Sequence, residues 1–331
     1  MSDPSDSLPC FPRALMDNYP PGADWVDWQE SRAYGATTNF ATWYVRALRR
    51  FAALHAEFAG TFGDAAKAEN YTHTANAVTE SVRTKLWLPG PANVSNWERD
   101  GAHFATNARH DHDCGESVMD DGWWVDDQLW AVVNGVATAE QSTTIKGWLA
   151  NRTANYEGMP TRWSSKGPAA DHGRYGETWF GRLGLGDVLM RYNNFSQPEF
   201  GLTLLRRIAS AFAASGNIDE SYHMDGSVGG DQGTDYLEHC GGFVWAMIDG
   251  PFGVSFDSDA EAAATIEPQL GSWPAASAHV VVRGVNVSIT GAKGQAATLK
   301  AVASTEASSG QKVTLRLVQH GKAELVTVAS P

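Results

Sequence analysis

The stretch PPGADWVDWQE, residues 20–30, sets two carboxylates, Asp24 and Asp27, among two indoles, Trp25 and Trp28, directly after a Pro-Pro-Gly turn. Carboxylates are costly to bury, and tryptophan offers a large flat apolar face with a single donor. The mixture suits a cleft for a polyhydroxylated ligand such as a sugar. It equally suits a surface loop whose tryptophans cover the edge of a core. Thirteen tryptophans in 331 residues, many beside acids or glycines, extend the first pattern along the chain, and a large helical core built with tryptophan is the alternative.

Three further clusters carry reactive side chains. MDDGWWVDDQLW (119–130) gathers Asp120, Asp121, Asp126 and Asp127 around Trp123 and Trp124, and its first two acids fit an N-cap, where they complement the helix dipole. RHDHDCGE (109–116) holds His110, Asp111, His112, Asp113 and Cys114, a mixed set for a divalent ion. Alternating ligands on a loop point to different sides, and no closed metal motif is completed nearby, so a solvated polar loop is the expectation. MDGSVGGDQGTD (224–235) is acidic and glycine-rich but lacks the terminal Glu of an EF-hand. There is no phosphate-cradling loop, nucleophile elbow or dinucleotide fingerprint, so no metal or cofactor is expected.

The elements that must position these residues are helical hairpins. Phe40, Tyr44, Ala47, Phe51, Leu54 and Phe58 recur at three- and four-residue steps, which predicts one apolar stripe on a long helix from Thr38, ended by Gly60 and Gly63. Asp64 is a candidate N-cap for a second helix with the stripe Tyr71, Ala75, Val78, Val82 and Leu86, stopped by Pro89 and Gly90. The pattern returns at 124–136 with 138–154 and at 175–192 with 197–215, and a seventh helix is predicted over about 234–248. The intervening loops at 88–121, 155–174 and 216–233 are long enough to be functional. Repetition on this scale implies a ring or stack of hairpins with the site at one rim. From about residue 278 to 329 the chain alternates as strands, the mark of a small β-sandwich-like domain.

Net charge is -13, with pI about 5.2 and no Lys/Arg-rich run, which argues against a nucleic-acid or anionic-membrane partner. Cys10, Cys114 and Cys240 match no zinc spacing. The N-terminus lacks the basic start and apolar run of a signal peptide, so a cytoplasmic location is expected if this is the complete product. Five Asn-x-Ser/Thr sequons, at Asn70, Asn93, Asn151, Asn194 and Asn286, point instead to an extracellular, longer parent chain.

GADWVDW followed by the hairpin of residues 41–87 resembles the Gly-Asp-Trp loop and next hairpin of α-L-rhamnosidases, glycoside hydrolase family 78, and their fungal six-hairpin relatives. DDQLWAVVNGVAT is similar to a later barrel helix, NIDESYHMDG and GTDYLEHCGGFVWAMIDGPFGV to the Trp-Glu loop and the helix that closes the barrel, and IEPQLGSWPAASAHVVVRGVNVSITG to the crossing into a C-terminal sandwich. The likeness spans about residues 20–290 and rests on order and spacing. It implies an (α/α)6 toroid-type domain over 20–255, after a coil over 1–19 and before a β-rich domain over 256–331. It further implies inverting hydrolysis of a terminal sugar by two carboxyl groups roughly 6.5–9.5 Å apart.

Carried onto this chain, the resemblance makes Glu220 the general base and His239 the histidine of the closing helix that binds the sugar, with a packed core histidine as the alternative. Asp24 would accept sugar hydroxyl hydrogen bonds, Trp25 and Trp28 would wall the pocket, and Tyr222 and His223 would ride a rim loop. Trp123, Trp124 and Asp127 would face the cleft from a helix start. The chain departs from the family in that only about twenty residues precede Asp24, none reproducing the upstream general-acid loop, and in holding seven helices where six hairpins make twelve. It is then the C-terminal part of a longer enzyme, one half of a two-chain barrel, or an open arc that associates through exposed helix faces. Two alternatives to a rhamnosidase-like hydrolase stay open: a carbohydrate-binding remnant without turnover, and another six-hairpin enzyme such as a glycoside phosphorylase or unsaturated glucuronyl hydrolase.

Overall fold

A computed structural model describes residues 10–11, 35–90, 101–105, 107–110, 117–120, 125–154, 178–223, 227, 236–256, 263–283, 285–292, 295, 297–303, 312–319 and 322–329. Among them are seven α-helices, all before residue 250, and five long strands, all after residue 274. None of these helices is long and apolar enough to cross a membrane. The chain divides into two compact units, Met1–Leu183 with Ser221–Gln232, and Gly184–Glu220 with Gly233–Pro331.

In the first unit β1 (Cys10–Phe11) pairs antiparallel with β2 (Gly35–Thr37), which runs directly into α1 (Thr38–Glu57). α2 (Ala65–Ser81) starts where the Asp64 carboxylate accepts the amide hydrogens of Ala66 and Lys67 at 2.9 and 3.2 Å. Past Ser81 the helix widens into a π turn, Val82–Leu86, that keeps Ala75, Val78, Val82 and Leu86 on one buried side. Trp87 then turns extended, so β3 (Trp87–Leu88) pairs with β4 (His103–Phe104) before Pro89 and Gly90 are reached. β5 (Asn107–His110) and β6 (Ser117–Asp120) complete a four-stranded sheet in the order β1-β2-β5-β6. α3 (Val125–Val133) and α4 (Ala139–Ala154) follow, and β7 (Thr178–Phe180) pairs antiparallel with β8 (Ser221–His223). These short strands lie in segments the sequence marks only as loops or as the start of a helix.

The stripe predicted for α1 is not its buried face. Thr38, Asn39, Ala41, Thr42, Val45, Leu48 and Ala52 are buried, whereas Tyr44, Phe51 and Leu54 are 39%, 53% and 46% exposed. Hydrogen bonds decide the rotation. The Thr38 hydroxyl donates to the Ala105 carbonyl, and Asn39 donates to two aspartates of α3, so the polar end of the helix must face inward. Ala41 and Ala52 then allow close approach, while Phe51 and His55 rest against Tyr71 of α2 with ring centroids 5.9 and 5.5 Å apart.

The α3–α4 turn is held by arginines. Arg46 donates to the Asn134 side chain, Arg49 to the Asn134 carbonyl at 2.9 Å, and Arg83 to the Val136 carbonyl. Asn134 also donates through Nδ2 to Thr42, and Gly135 takes φ +66.

The second unit carries α5 (Gly181–Asn193) from Gly184 onward, α6 (Pro198–Ser215) and α7 (Leu237–Asp249). α6 ends in a left-handed Gly216 at φ +71. β9 (Val254–Ser255), β10 (Thr265–Ile266), β11 (Ala275–Val282), β12 (Val285–Ala292), β13 (Thr298–Ala303), β14 (Lys312–Gln319) and β15 (Lys322–Ala329) make a sheet β15-β14-β10-β9 and a meander β11-β12-β13. Val282, Val285, Val287 and Ile289 of the meander share one apolar core with Val254, Ile266, Val313 and Leu315 of the other sheet, the arrangement of a sandwich. Met247 and Ile248 of α7 pack on that core.

Two glycines separate backbone conformation from space. A side chain at Gly216 would meet no atom, whereas at Gly253, φ +59, it would overlap the Glu267 carbonyl oxygen. Gly216→Ala should therefore lower stability by about 1 kcal/mol, the left-handed penalty alone, and Gly253→Ala by about 3 kcal/mol or more. Urea midpoints of the two variants check the order.

Candidate functional site

In the first unit the described polar centre is the start of α3. Asp126 and Asp127 are both fully buried in its first turn, where the helix dipole favours negative charge. The Asn39 main-chain N–H donates to Asp127 Oδ1 at 3.0 Å and its Nδ2 to Asp126 Oδ2 at 2.7 Å. One residue on, Gln128 grips β4 as a strand would: the Phe104 N–H donates to Oε1 and Nε2 donates to the Phe104 carbonyl, both at 2.8 Å. Trp130 stacks at a tilt on Trp43, centroids 4.7 Å apart. Asp127, expected at the edge of a sugar, is thus enclosed and bonded to the amide of α1. Tyr222 is likewise fully buried, opposite Trp179 in the β7–β8 pair, and His223 stands opposite Thr178.

In the second unit the segment after α6 carries Glu220. The Ile218 carbonyl accepts the Tyr236 N–H at 2.8 Å, and the Asp219 carbonyl accepts His239 Nδ1–H at 3.0 Å. His239 is fully buried, its ring 4.6 Å from that of Tyr236. Asp219 is 2% exposed, while Glu220 beside it is partly exposed. Of the acids the sequence singles out for the site, Asp127 and Glu220 are described, and only Glu220 keeps exposure.

Asp24, Trp25, Trp28, Trp123 and Trp124 lie outside the described residues, as do Asp111, His112, Asp113 and Cys114. Among the described residues no group of three or more His, Cys, Asp and Glu is arranged to hold a metal ion.

A second buried polar cluster escapes the motif reading. In GLGDVLMRY, residues 184–192, Asp187 and Arg191 stand four apart on α5 and form an ion pair of 2.9 Å, both almost wholly buried. Arg191 also donates to Gln197 at 2.7 Å and lies 4.5 Å from the centroid of Phe200, which holds the α5–α6 connection. The i, i+4 spacing of opposite charges is its one trace in the sequence. Tyr192 is wedged where any side chain at Gly201 or Gly250 would strike its ring, and its hydroxyl has no hydrogen-bond partner among the described residues. Burial pushes its phenol far above the ordinary range, with Glu199 adding to the rise and Arg206 opposing it.

Gln128→Glu replaces the donor facing the Phe104 carbonyl by an acceptor and should reduce stability by about 1–3 kcal/mol, read by chemical denaturation. Tyr192 has a folded pKa above its unfolded value of about 10, so the stability it contributes is complete below pH ~10 and is lost as pH rises beyond it. Denaturation at pH 8 and pH 11 should show an alkaline loss that is smaller in Tyr192→Phe.

No protein-family model matches the chain, and a search of the curated proteins finds no match.

Proposed function

We propose that the chain is a glycoside hydrolase acting on a terminal α-linked sugar, α-L-rhamnosidase-like, inverting by general acid/base catalysis with Glu220 as the base and its hairpins forming part of an (α/α)6 toroid. The observation that carries this reading is the setting of Glu220: a partly exposed acid on a main chain held from the preceding residues by Tyr236 and His239. A general base in inversion draws a proton from the water that attacks the anomeric carbon, while a carboxylic acid on the opposite face protonates the departing oxygen. The base must meet water and hold its place; the partial exposure of Glu220 and the two bonds to the main chain before it support that role. Asp24, Trp25 and Trp28 join the sugar site on the strength of their residue types and of the family resemblance.

Asn70 and Asn194 are exposed, which supports a glycosylated, exported parent. Tyr44, Phe51 and Leu54 on α1 and, in the other unit, Leu237 and Val244 on α7 are exposed, which supports association through helix faces.

Hydrolysis of an aryl α-L-rhamnoside with inversion at the anomeric carbon, followed by NMR, is the test. Glu220→Gln should lower kcat by about 10²–10⁴-fold, the usual contribution of a general base, with sugar affinity little changed. Binding of rhamnose without turnover by the unaltered chain would replace this reading with that of a carbohydrate-binding module.

A further inference from the structure

We infer that His239 is a positioning residue for Glu220: by holding the Asp219 carbonyl it fixes the peptide plane from which the Glu220 side chain departs. The inference rests on the proposed role of Glu220 and deepens it. A peptide unit is planar, so the oxygen that His239 grips is rigidly tied to the nitrogen and Cα of Glu220. The bond is 3.0 Å long, and its donor is Nδ1–H, because a carbonyl can only accept. The imidazole cannot drift from this duty. It has no exposed surface, it sits one turn into α7, and the Tyr236 ring covers it at 4.6 Å. Tyr236 adds a second hold one peptide earlier, through its own N–H on the Ile218 carbonyl. Between them, two residues at the start of α7 set two successive carbonyls of the segment that delivers the carboxylate.

The family resemblance places the same histidine at the sugar. Complete enclosure and a main-chain partner assign it the other task, that of orienting the group that reacts. A displacement of about 1 Å in a catalytic group lowers rate about 10²-fold, so the geometry makes a quantitative claim on kcat and none on ground-state affinity.

Three variants test it with an aryl α-L-rhamnoside as the probe. His239→Leu removes the donor, and His239→Asn places an amide nitrogen near the Nδ1 position. kcat should fall by about 10²-fold in the first, with KM within about threefold, and recover to within about fivefold of the original in the second. If His239→Leu does not fold, His239→Gln, whose amide nitrogen lies one bond further out, carries the same expectation as leucine. Amide hydrogen exchange over residues 217–222, read by mass spectrometry, should accelerate in His239→Leu or His239→Gln and stay slow in His239→Asn. A common rise in KM in all three variants would mean contact with the sugar and overturn the inference, as would unchanged kcat and exchange in the variant lacking the donor. Full activity of Glu220→Gln would instead remove the proposed function, and the exchange measurement would still decide whether His239 orders the segment.

Discussion

Two adjacent aspartates without exposed surface impose the strongest demand in the first unit. A carboxylate withdrawn from water is tolerated only where donors meet it. Asn39 supplies a donor to each of Asp126 and Asp127, and the dipole of α3 favours negative charge in its first turn. That requirement brings the first residues of α1 to the first turn of α3 and thereby fixes how α1 is rolled about its axis. Once Thr38, Asn39 and Thr42 face inward, a residue half a turn away faces outward, and the apolar series Tyr44, Phe51, Leu54 is delivered to the surface. Burial of apolar area would have preferred the reverse. Tyr44, Phe51 and Leu54 are each only partly exposed and so forfeit a fraction of their burial, whereas buried carboxylates deprived of the Asn39 donors would bear the full desolvation cost.

The second unit obeys the same rule with different partners. Asp187 and Arg191 neutralise each other along α5, and the free reach of the guanidinium extends to Gln197 at the start of α6. The pair therefore joins two helices as well as two charges. In the segment of Glu220, two successive main-chain carbonyls are points of attachment.

The helices were legible because their signals are local. Asp64 caps α2 as its type and place foretell, Gly216 closes α6, and the alternation after residue 278 becomes long strands that begin at Ala275. What could not be read is relational. Nothing in residues 38–58 states that Asn39 will meet residues 126 and 127, so the hydrophobic period chose the wrong face of α1. β7 and β8 are three residues each and owe their form to one another, forty residues apart, so the sequence read the first as the start of a helix and the second as loop. At the candidate site the residue types pointed to Glu220 and His239, and the bond from one to the backbone beside the other needed coordinates. Asp24, Trp25 and Trp28 fall outside the described residues, and their part rests on the sequence.

Asn134 and Gly135 form the dipeptide most prone to lose ammonia, because the glycine nitrogen can attack the side-chain amide carbon and close a succinimide. In the folded chain that nitrogen donates to the Val132 carbonyl at 3.0 Å, and the amide is engaged at one end by Arg46 and at the other by Thr42. Both reactants are committed elsewhere, so the native turn is a protecting group. Chemical ageing here is gated by local opening, and the slow appearance of a more acidic isoform on storage would be a clock for how often that turn comes undone.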